Sequence, residues 1–148
     1  MHAIRQAAGY WLAVLVAGTL VLLAMLPPFV GEAAREGLMQ AFSPVCHQMP
    51  DRSFDIGGVP IALCHRCTGV AAGLLLAALA APWLRPAARE ISRRAPLALG
   101  LAVLPMAVDW SGDFAGLWVN TPGTRVATGL VFGLMVGLLL ARAFRQLA

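Results

Sequence analysis

The sequence predicts an all-α membrane protein with four transmembrane helices arranged as two hairpins, and with a structured outer loop that carries a short interfacial helix. Of its 148 residues, 59% are hydrophobic and only 12% are charged, whereas soluble domains carry roughly 25% charged residues. The charged residues also fall between long apolar runs, which is typical of a chain that crosses a bilayer. We therefore expect a single domain, residues 1–148, with the lipid bilayer as its main partner.

Four apolar runs supply the predicted spans, which are residues 7–30, 62–84, 95–119 and 124–142. A helix of about 20 residues crosses a hydrocarbon core of about 30 Å. The uncharged part of the second run begins only at Thr68. Its helix should therefore begin earlier, near Cys64, with a cysteine pair in its opening turns.

The arginines predict the orientation in the membrane. The second loop, residues 85–94, has four arginines and one acid, whereas the first loop balances three arginines against four acids. Because cytoplasmic loops carry an excess of positive charge, both termini should be cytoplasmic and the first loop extracytoplasmic, in the cell inner (plasma) membrane. Arginines near helix ends fit anionic lipid headgroups, so we expect no nucleic-acid partner.

The first outer loop is longer than most simple connections between helices, so we expect it to have its own structure or a function. Residues 31–42 have helical spacing of apolar and polar side chains and predict a short interfacial helix. Pro50, Gly57, Gly58 and Pro60 should keep the rest of the loop irregular. Non-helical backbone near a membrane must be covered by protein, so the loop should fold over the mouth of the bundle.

The outer loop, about residues 43–67, also holds the residues that can carry chemistry. All three cysteines of the chain, Cys46, Cys64 and Cys67, lie in this loop or the first turn of the next helix. His47 and His65 each follow a cysteine directly. On an oxidising face, thiols persist when they are metal-bound, catalytic or paired.

Metal binding is the first interpretation of this group. Cys64 and Cys67 form a Cys-x-x-Cys pair that can chelate one ion, and Cys46 with His47 or His65 would complete a tetrahedron of three cysteines and one histidine. Such ligand sets suit zinc, and thiolates also suit copper(I) and iron–sulfur clusters. We expect zinc as the metal ion.

Two alternatives stay open. Cys64 and Cys67 at a helix N-terminus could exchange thiols and disulfides, since the helix dipole and nearby cations lower a thiol pKa. Cys46 would then be the shuttle cysteine of a membrane oxidoreductase, with a quinone as the cofactor. The other alternative is a structural protein with one disulfide and one unpaired cysteine.

Charged residues on the same outer side could support a cofactor. Asp109 and Asp113 are four residues apart and should share one face of the third span. Arg125 and Arg66 are their natural counter-ions, and intramembrane carboxylates are functional candidates. Arg52, in the loop, could bind an anion beside the cysteines.

Glycines at four-residue spacing mark close helix contacts. Gly69 and Gly73 lie on the second span, and Gly129, Gly133 and Gly137 lie on the fourth. Small residues in this pattern let backbones approach closely in lipid. They also allow a homo-oligomer that forms through these helices.

The outer-loop motifs resemble a known family of prokaryotic membrane proteins. The matching blocks are Cys46-His47-Gln48, Arg52-Ser53-Phe54 and Cys64-x-Arg66-Cys67-Thr68-Gly69. They are similar to the family called domain of unknown function 2085, over roughly residues 42–134. The resemblance implies the fold and a site, and brings no activity. It favours His47 as the fourth ligand, because His65 stands where the family has a small residue.

Overall fold

A computed structural model of the chain describes residues 2–147, and it describes side chains for residues 7–143. Residues 1 and 148, the ends of the predicted domain, lie outside the described part. Six helices and one hairpin of strands follow one another along the described chain. They are α1 His2–Met25, α2 Glu32–Phe42, β1 Ser53–Ile56, β2 Val59–Cys64, α3 His65–Ala80, α4 Arg85–Arg93, α5 Ala95–Phe114 and α6 Pro122–Leu147.

Three of the described helices are long and apolar enough to cross a membrane, judged by length and composition. They are Ala7–Met25 within α1, Ala95–Phe114 and Pro122–Ala143 within α6. The helix of the second predicted span, α3, has 16 residues, which corresponds to about 24 Å at about 1.5 Å per residue. Among residues 2–147, α3 is therefore shorter than a typical span, and the predicted fourth crossing does not follow from helix length.

Helices α3 and α6 form the tightest helix pair, and glycines are the reason. A methyl group added at Gly69 would overlap the carbonyl oxygen of Val126, and one added at Gly129 would overlap that of Arg66. One turn further along, Gly133 lies against the carbonyl oxygen of Val70. The two backbones thus touch along the glycine faces. The glycines predicted to mediate self-association face each other within one chain, and the homo-oligomer stays a prediction.

The outer loop contains a β-hairpin, so the expectation of an irregular loop in an all-α chain is wrong here. Strands β1 and β2 pair antiparallel, with Ile56 opposite Val59 and Ser53 opposite Cys64. Gly57 and Gly58 connect them with φ values of 64° and 83°. A two-residue turn with two positive φ values matches the twist of paired strands and favours glycine. The same glycines that indicated irregular backbone therefore build the turn.

The helix predicted over residues 31–42 is present as α2. Arg35 on this helix turns back toward the end of α1, where its Nε donates to Pro27 O (3.2 Å) and its Nη2 to Val30 O (3.4 Å). Phe42 at the end of α2 is buried. The helix is thus tied to the segment that follows α1, and its last residue enters the core near the cysteines.

The arginine-rich second loop folds as a helix that the sequence analysis did not predict. Pro86 follows the first residue of α4, where its fixed φ and missing N–H suit a helix start. Arg142 of α6 donates from Nη1 to Ala88 O (3.4 Å) and to Arg89 O (2.9 Å). These bonds hold α4 against α6 at the end of the bundle opposite to the hairpin.

The close approach of α3 and α6 predicts opposite effects for the same substitution at two glycines. Gly133→Ala should destabilise the protein by about 1–3 kcal/mol, because the new methyl group forces the backbones apart. Gly100→Ala is the matched control, since Gly100 lies on a helix with no atom within 4 Å of the added carbon, and it should stabilise by about 0.5–1 kcal/mol. Thermal unfolding in detergent measures both. Equal shifts in the same direction would contradict the packing.

Candidate metal centre

Three different segments deliver the three cysteines to one place. Cys46 lies in the turn after α2, where its backbone N–H donates to Phe42 O (3.0 Å). Cys64 is the last residue of β2 and also the N-cap of α3, and Cys67 lies in the first turn of α3. The hairpin therefore returns the chain to the level of Cys46 just before α3 begins.

The sulfur atoms of the three cysteines lie within 4.8 Å of one another. All three are free thiols in this structure. The backbone N–H of Cys64 donates to Cys46 Sγ (3.2 Å), and such a bond stabilises negative charge on sulfur. Cys46 is only 3% exposed, whereas Cys64 and Cys67 are half-buried. The cluster thus has an inner sulfur and an accessible outer side.

An apolar wall backs the inner side of the cluster. Cys46 belongs to a buried hydrophobic group with Ala24, Phe42, Ala62 and Leu63, and Met39, Cys64, Cys67 and Ala71 pack against it. This wall draws on α1, α2, β2 and α3. A sulfur held in such surroundings has little freedom to move, so the position of Cys46 is fixed by packing.

The other thiols lower the pKa of Cys64 from its ordinary value of 9.0 to about 5. The largest cause is the hydrogen bond from the Cys67 thiol, and the backbone of Cys67, the thiol of Cys46 and the backbone of Arg66 add to it against the effect of burial. This lowered pKa favours the thiolate form of Cys64. Thiolates are the form that binds metals and attacks disulfides.

Gln48 fixes the chain beside Cys46, and the sequence analysis gave it no role beyond its place in the motif. Its Nε2 donates to Met39 O on α2 (2.7 Å) and to Ala62 O on β2 (3.1 Å). Its φ is 49°, in the left-handed region. A non-glycine residue there is uncommon and marks a position that the surroundings hold in place. Gln48 thus joins the two elements that lead to Cys46 and Cys64.

The two histidines lie apart from the sulfur cluster. His47 is exposed, and His65 is buried at 5% exposure with its ring edge-on to Phe54 at 4.5 Å. Within the described residues, neither histidine belongs to the group of ligand atoms that the three cysteines form. Arg52 also stays at the surface, where its Nε lies 3.6 Å from the Asp51 carboxylate. Their predicted roles as ligand or cofactor contact stay predictions.

The predicted acid pair and its arginines form two ion pairs, one of them with Arg66 in the first turn of α3. Asp109 forms an ion pair with Arg66, the residue between the cysteines Cys64 and Cys67, and its side chain is 9% exposed. Asp113 lies 4.0 Å from Arg125 and accepts a hydrogen bond from the backbone N–H of Asn120 (3.1 Å). Both carboxylates thus face arginines, as their spacing predicted, although their role toward a cofactor is untested.

Several polar atoms around these ion pairs are buried without a hydrogen-bond partner. In the described part of the chain they are Nδ1 of His65, Nε of Arg66 and Oδ1 of Asn120. Buried polar atoms are nearly always hydrogen-bonded, and internal water is the common partner. Asn120 is 6% exposed. Its position just before α6 is the only feature of the sequence that could have suggested this burial.

The buried ion pair predicts a large difference between two neutralising substitutions. Asp109→Asn should destabilise the protein by about 3–5 kcal/mol, because it leaves the guanidinium of Arg66 without its partner. Glu90→Gln is the control, since Glu90 pairs with Arg93 at 3.2 Å on the surface, and it should cost about 0–1 kcal/mol. Thermal unfolding in detergent reports both. A loss for Asp109→Asn no larger than that for Glu90→Gln would contradict a structural role for the pair.

Comparison with known sequences agrees with the motifs. A protein from Methanocaldococcus jannaschii, itself named only as uncharacterized, is 34% identical over 99 residues, which is 67% of this chain and 63% of that relative. The chain therefore spans less than two thirds of the length of that curated relative. No solved structure matches the chain. The family described as "Predicted membrane protein (DUF2085)" matches residues 46–139, which include the three cysteines and both ion pairs, and the chain belongs to this family.

Proposed function

We propose that this membrane protein binds one metal ion, of the zinc type, through Cys46, Cys64 and Cys67. The convergence of the three sulfurs within 4.8 Å carries the proposal. Cys46 is distant in the sequence from Cys64 and Cys67, so the fold is what brings the three sulfurs together. Thiolates are preferred ligands of zinc and copper(I).

The spacing of the sulfurs supports an ion of this size. A zinc–sulfur bond of about 2.3 Å in a tetrahedron corresponds to sulfurs about 3.8 Å apart. The three sulfurs already lie within 4.8 Å, so each needs a shift of about 1 Å or less to reach that distance. A thiol of Cys64 with a pKa of about 5 also loses its proton to a metal at little cost, since only the thiolate binds.

His47 is our proposal for the fourth ligand. It follows Cys46 directly and is exposed, so a turn of its side chain or of its loop could bring it to an ion at the outer side of the cluster. With three protein ligands alone, zinc keeps an open position for water or another small ligand. A closed set of three cysteines and one histidine fits a structural ion, and an open set of three cysteines fits a site that exchanges a ligand.

Metal analysis and thiol counting on the purified, non-reduced protein test the proposal. We expect one metal ion per chain and no free thiols until a chelator releases the ion and exposes three. Cys46→Ser should abolish stoichiometric binding, because it removes the inner ligand. The control is Val45→Ala, since Val45 is the neighbouring residue and 71% exposed; this variant should keep its metal. His47→Ala should weaken binding if His47 is the fourth ligand.

Two results of the metal analysis and thiol counting would contradict parts of the proposal. A wild-type protein with three free thiols before chelation, and with no affinity for zinc or copper(I) after anaerobic reduction, would exclude the metal site. Retention of the metal by Cys46→Ser would exclude Cys46 as a ligand.

Thiol–disulfide exchange is a second candidate, favoured by the position of Cys64. Cys64 is the N-cap of α3, and its pKa of about 5 makes it the nucleophile of such a pair. Formation of a disulfide from the Cys64 thiolate and the Cys67 thiol would release two electrons and one proton. A quinone in the bilayer could accept these, together with a second proton from water, as it becomes a quinol. This reaction predicts one free thiol, that of Cys46, in the oxidised protein, whereas the metal site predicts three after chelation.

We further propose four membrane crossings, with α3 as the short one. Helix α3 packs along α6, which is one of the candidate spans, and paired helices share a depth in the bilayer. Residues 81–84 continue the end of α3 as turns, since Trp83 N donates to Ala80 O (3.0 Å) and Leu84 N to the same oxygen (3.1 Å). With both termini cytoplasmic, the cysteines would face outward and α4 inward in the inner membrane.

Labelling from one side of the membrane tests this orientation. In intact cells treated with a chelator, a maleimide that cannot cross membranes should modify the cysteines of the 46–67 region. Inverted vesicles expose the cytoplasmic face of the membrane to the reagent. They should stay unlabelled until detergent is added. Labelling of the inverted vesicles but not of the cells would reverse the proposed orientation, and no labelling even in detergent would show that the thiols are blocked.

A further inference from the structure

Helix α4 aligns three of the four arginines of the second loop into one stripe. Arg85, Arg89 and Arg93 are spaced four residues apart, so they follow one another along about 80° of the helix circumference at about 3.6 residues per turn. All three are exposed. In an unstructured loop these charges would point in many directions, whereas the helix presents them on one side.

The packing of α4 keeps this stripe in a fixed position. Ala88 is 3% exposed, and Ile91 and Ser92 are half-buried on the same side of the helix. The guanidinium of Arg142 donates to the carbonyl oxygens of Ala88 and Arg89, which ties α4 to α6. The arginine stripe therefore cannot turn inward, and it stays at the end of the apolar bundle.

The residues around the stripe indicate a lipid environment. Trp83, just before α4, is 78% exposed, and Leu97, just after it, is 57% exposed. Exposed tryptophan next to basic side chains is typical of the membrane–water interface. The single acid on α4, Glu90, pairs with Arg93 at 3.2 Å on the surface and uses only part of the donors of one guanidinium.

We propose that α4 is a binding site for the headgroups of anionic phospholipids, with Arg85 and Arg89 as its main contacts. Guanidinium groups bind phosphate oxygens through paired hydrogen bonds, and several basic residues together attract an anionic lipid surface. This site is separate from the cysteine cluster and does not depend on the metal proposal, because the two lie at opposite ends of α3.

Native mass spectrometry of the full chain can test the proposal in zwitterionic detergent that contains equal amounts of phosphatidylglycerol and phosphatidylcholine. The wild-type protein should retain phosphatidylglycerol in preference to phosphatidylcholine. The affinity for phosphatidylglycerol should fall about fivefold for each arginine removed, and thus about 30-fold for Arg85→Gln with Arg89→Gln. The double change Arg85→Lys with Arg89→Lys keeps both charges but loses the paired hydrogen bonds, so its affinity should lie between those of wild type and the double glutamine variant.

Two controls separate this site from general charge and from misfolding. Asp51→Asn raises the net charge by one at the other end of the molecule, where the Asp51 side chain is exposed, and it should leave phosphatidylglycerol binding unchanged. The double glutamine variant should unfold at the wild-type temperature in detergent with phosphatidylcholine alone.

Three results would overturn the proposal. They are wild-type affinity for phosphatidylglycerol in the double glutamine variant, a gain of about fivefold in the Asp51→Asn control, which general charge would give, and complete displacement of the lipid by an equal concentration of soluble glycerol phosphate. The last result would assign the arginines to free phosphate esters and not to a membrane lipid.

Discussion

The contact between the backbones of α3 and α6 is the constraint on which the rest of this structure depends. Glycines on both helices allow carbonyl oxygens to approach where side chains would otherwise stand. Because of this contact, the N-terminal turn of α3 lies beside the start of α6. Arg66 and Arg125 therefore reach the two carboxylates of α5, and Cys64 and Cys67 face the loop that carries Cys46. The cysteine cluster is thus positioned by a helix pair whose glycine contacts begin at Arg66, between Cys64 and Cys67.

The sequence predicted the long helices well, because hydrophobicity determines them. It predicted the hairpin and α4 poorly, because residues that favour turns and helix starts determine those. Long apolar runs predicted α1, α5 and α6, because burial in lipid or protein is the only state open to such segments. The hairpin was missed, although Gly57-Gly58 between apolar strands is a recognised turn signal. Helix α4 was missed because the arginines of this loop were used only to predict the orientation in the membrane. Pro86, which favours a helix start, was not considered.

The convergence of the three cysteines was predictable from the sequence, whereas the surroundings of the candidate site were not. The clustering of three cysteines in one short region indicated their convergence, since few other positions for soft ligands exist in the chain. His47 is exposed and precedes Gln48, whose left-handed φ of 49° a single sequence does not reveal. The depth of His65 depends on Phe54 and the hairpin, which the sequence analysis had treated as irregular.

The separation of Cys46 from Cys64 in the sequence has a consequence for folding entropy. The two residues are 18 positions apart, and the segment between them contains the whole hairpin. A metal ion that bound both residues only in the folded loop would stabilise that loop by its free energy of binding, and closing a segment of this length would cost about 3 kcal/mol of that energy. Such an ion, bound by the folded state alone, would make the stability of the outer loop depend on the concentration of free metal.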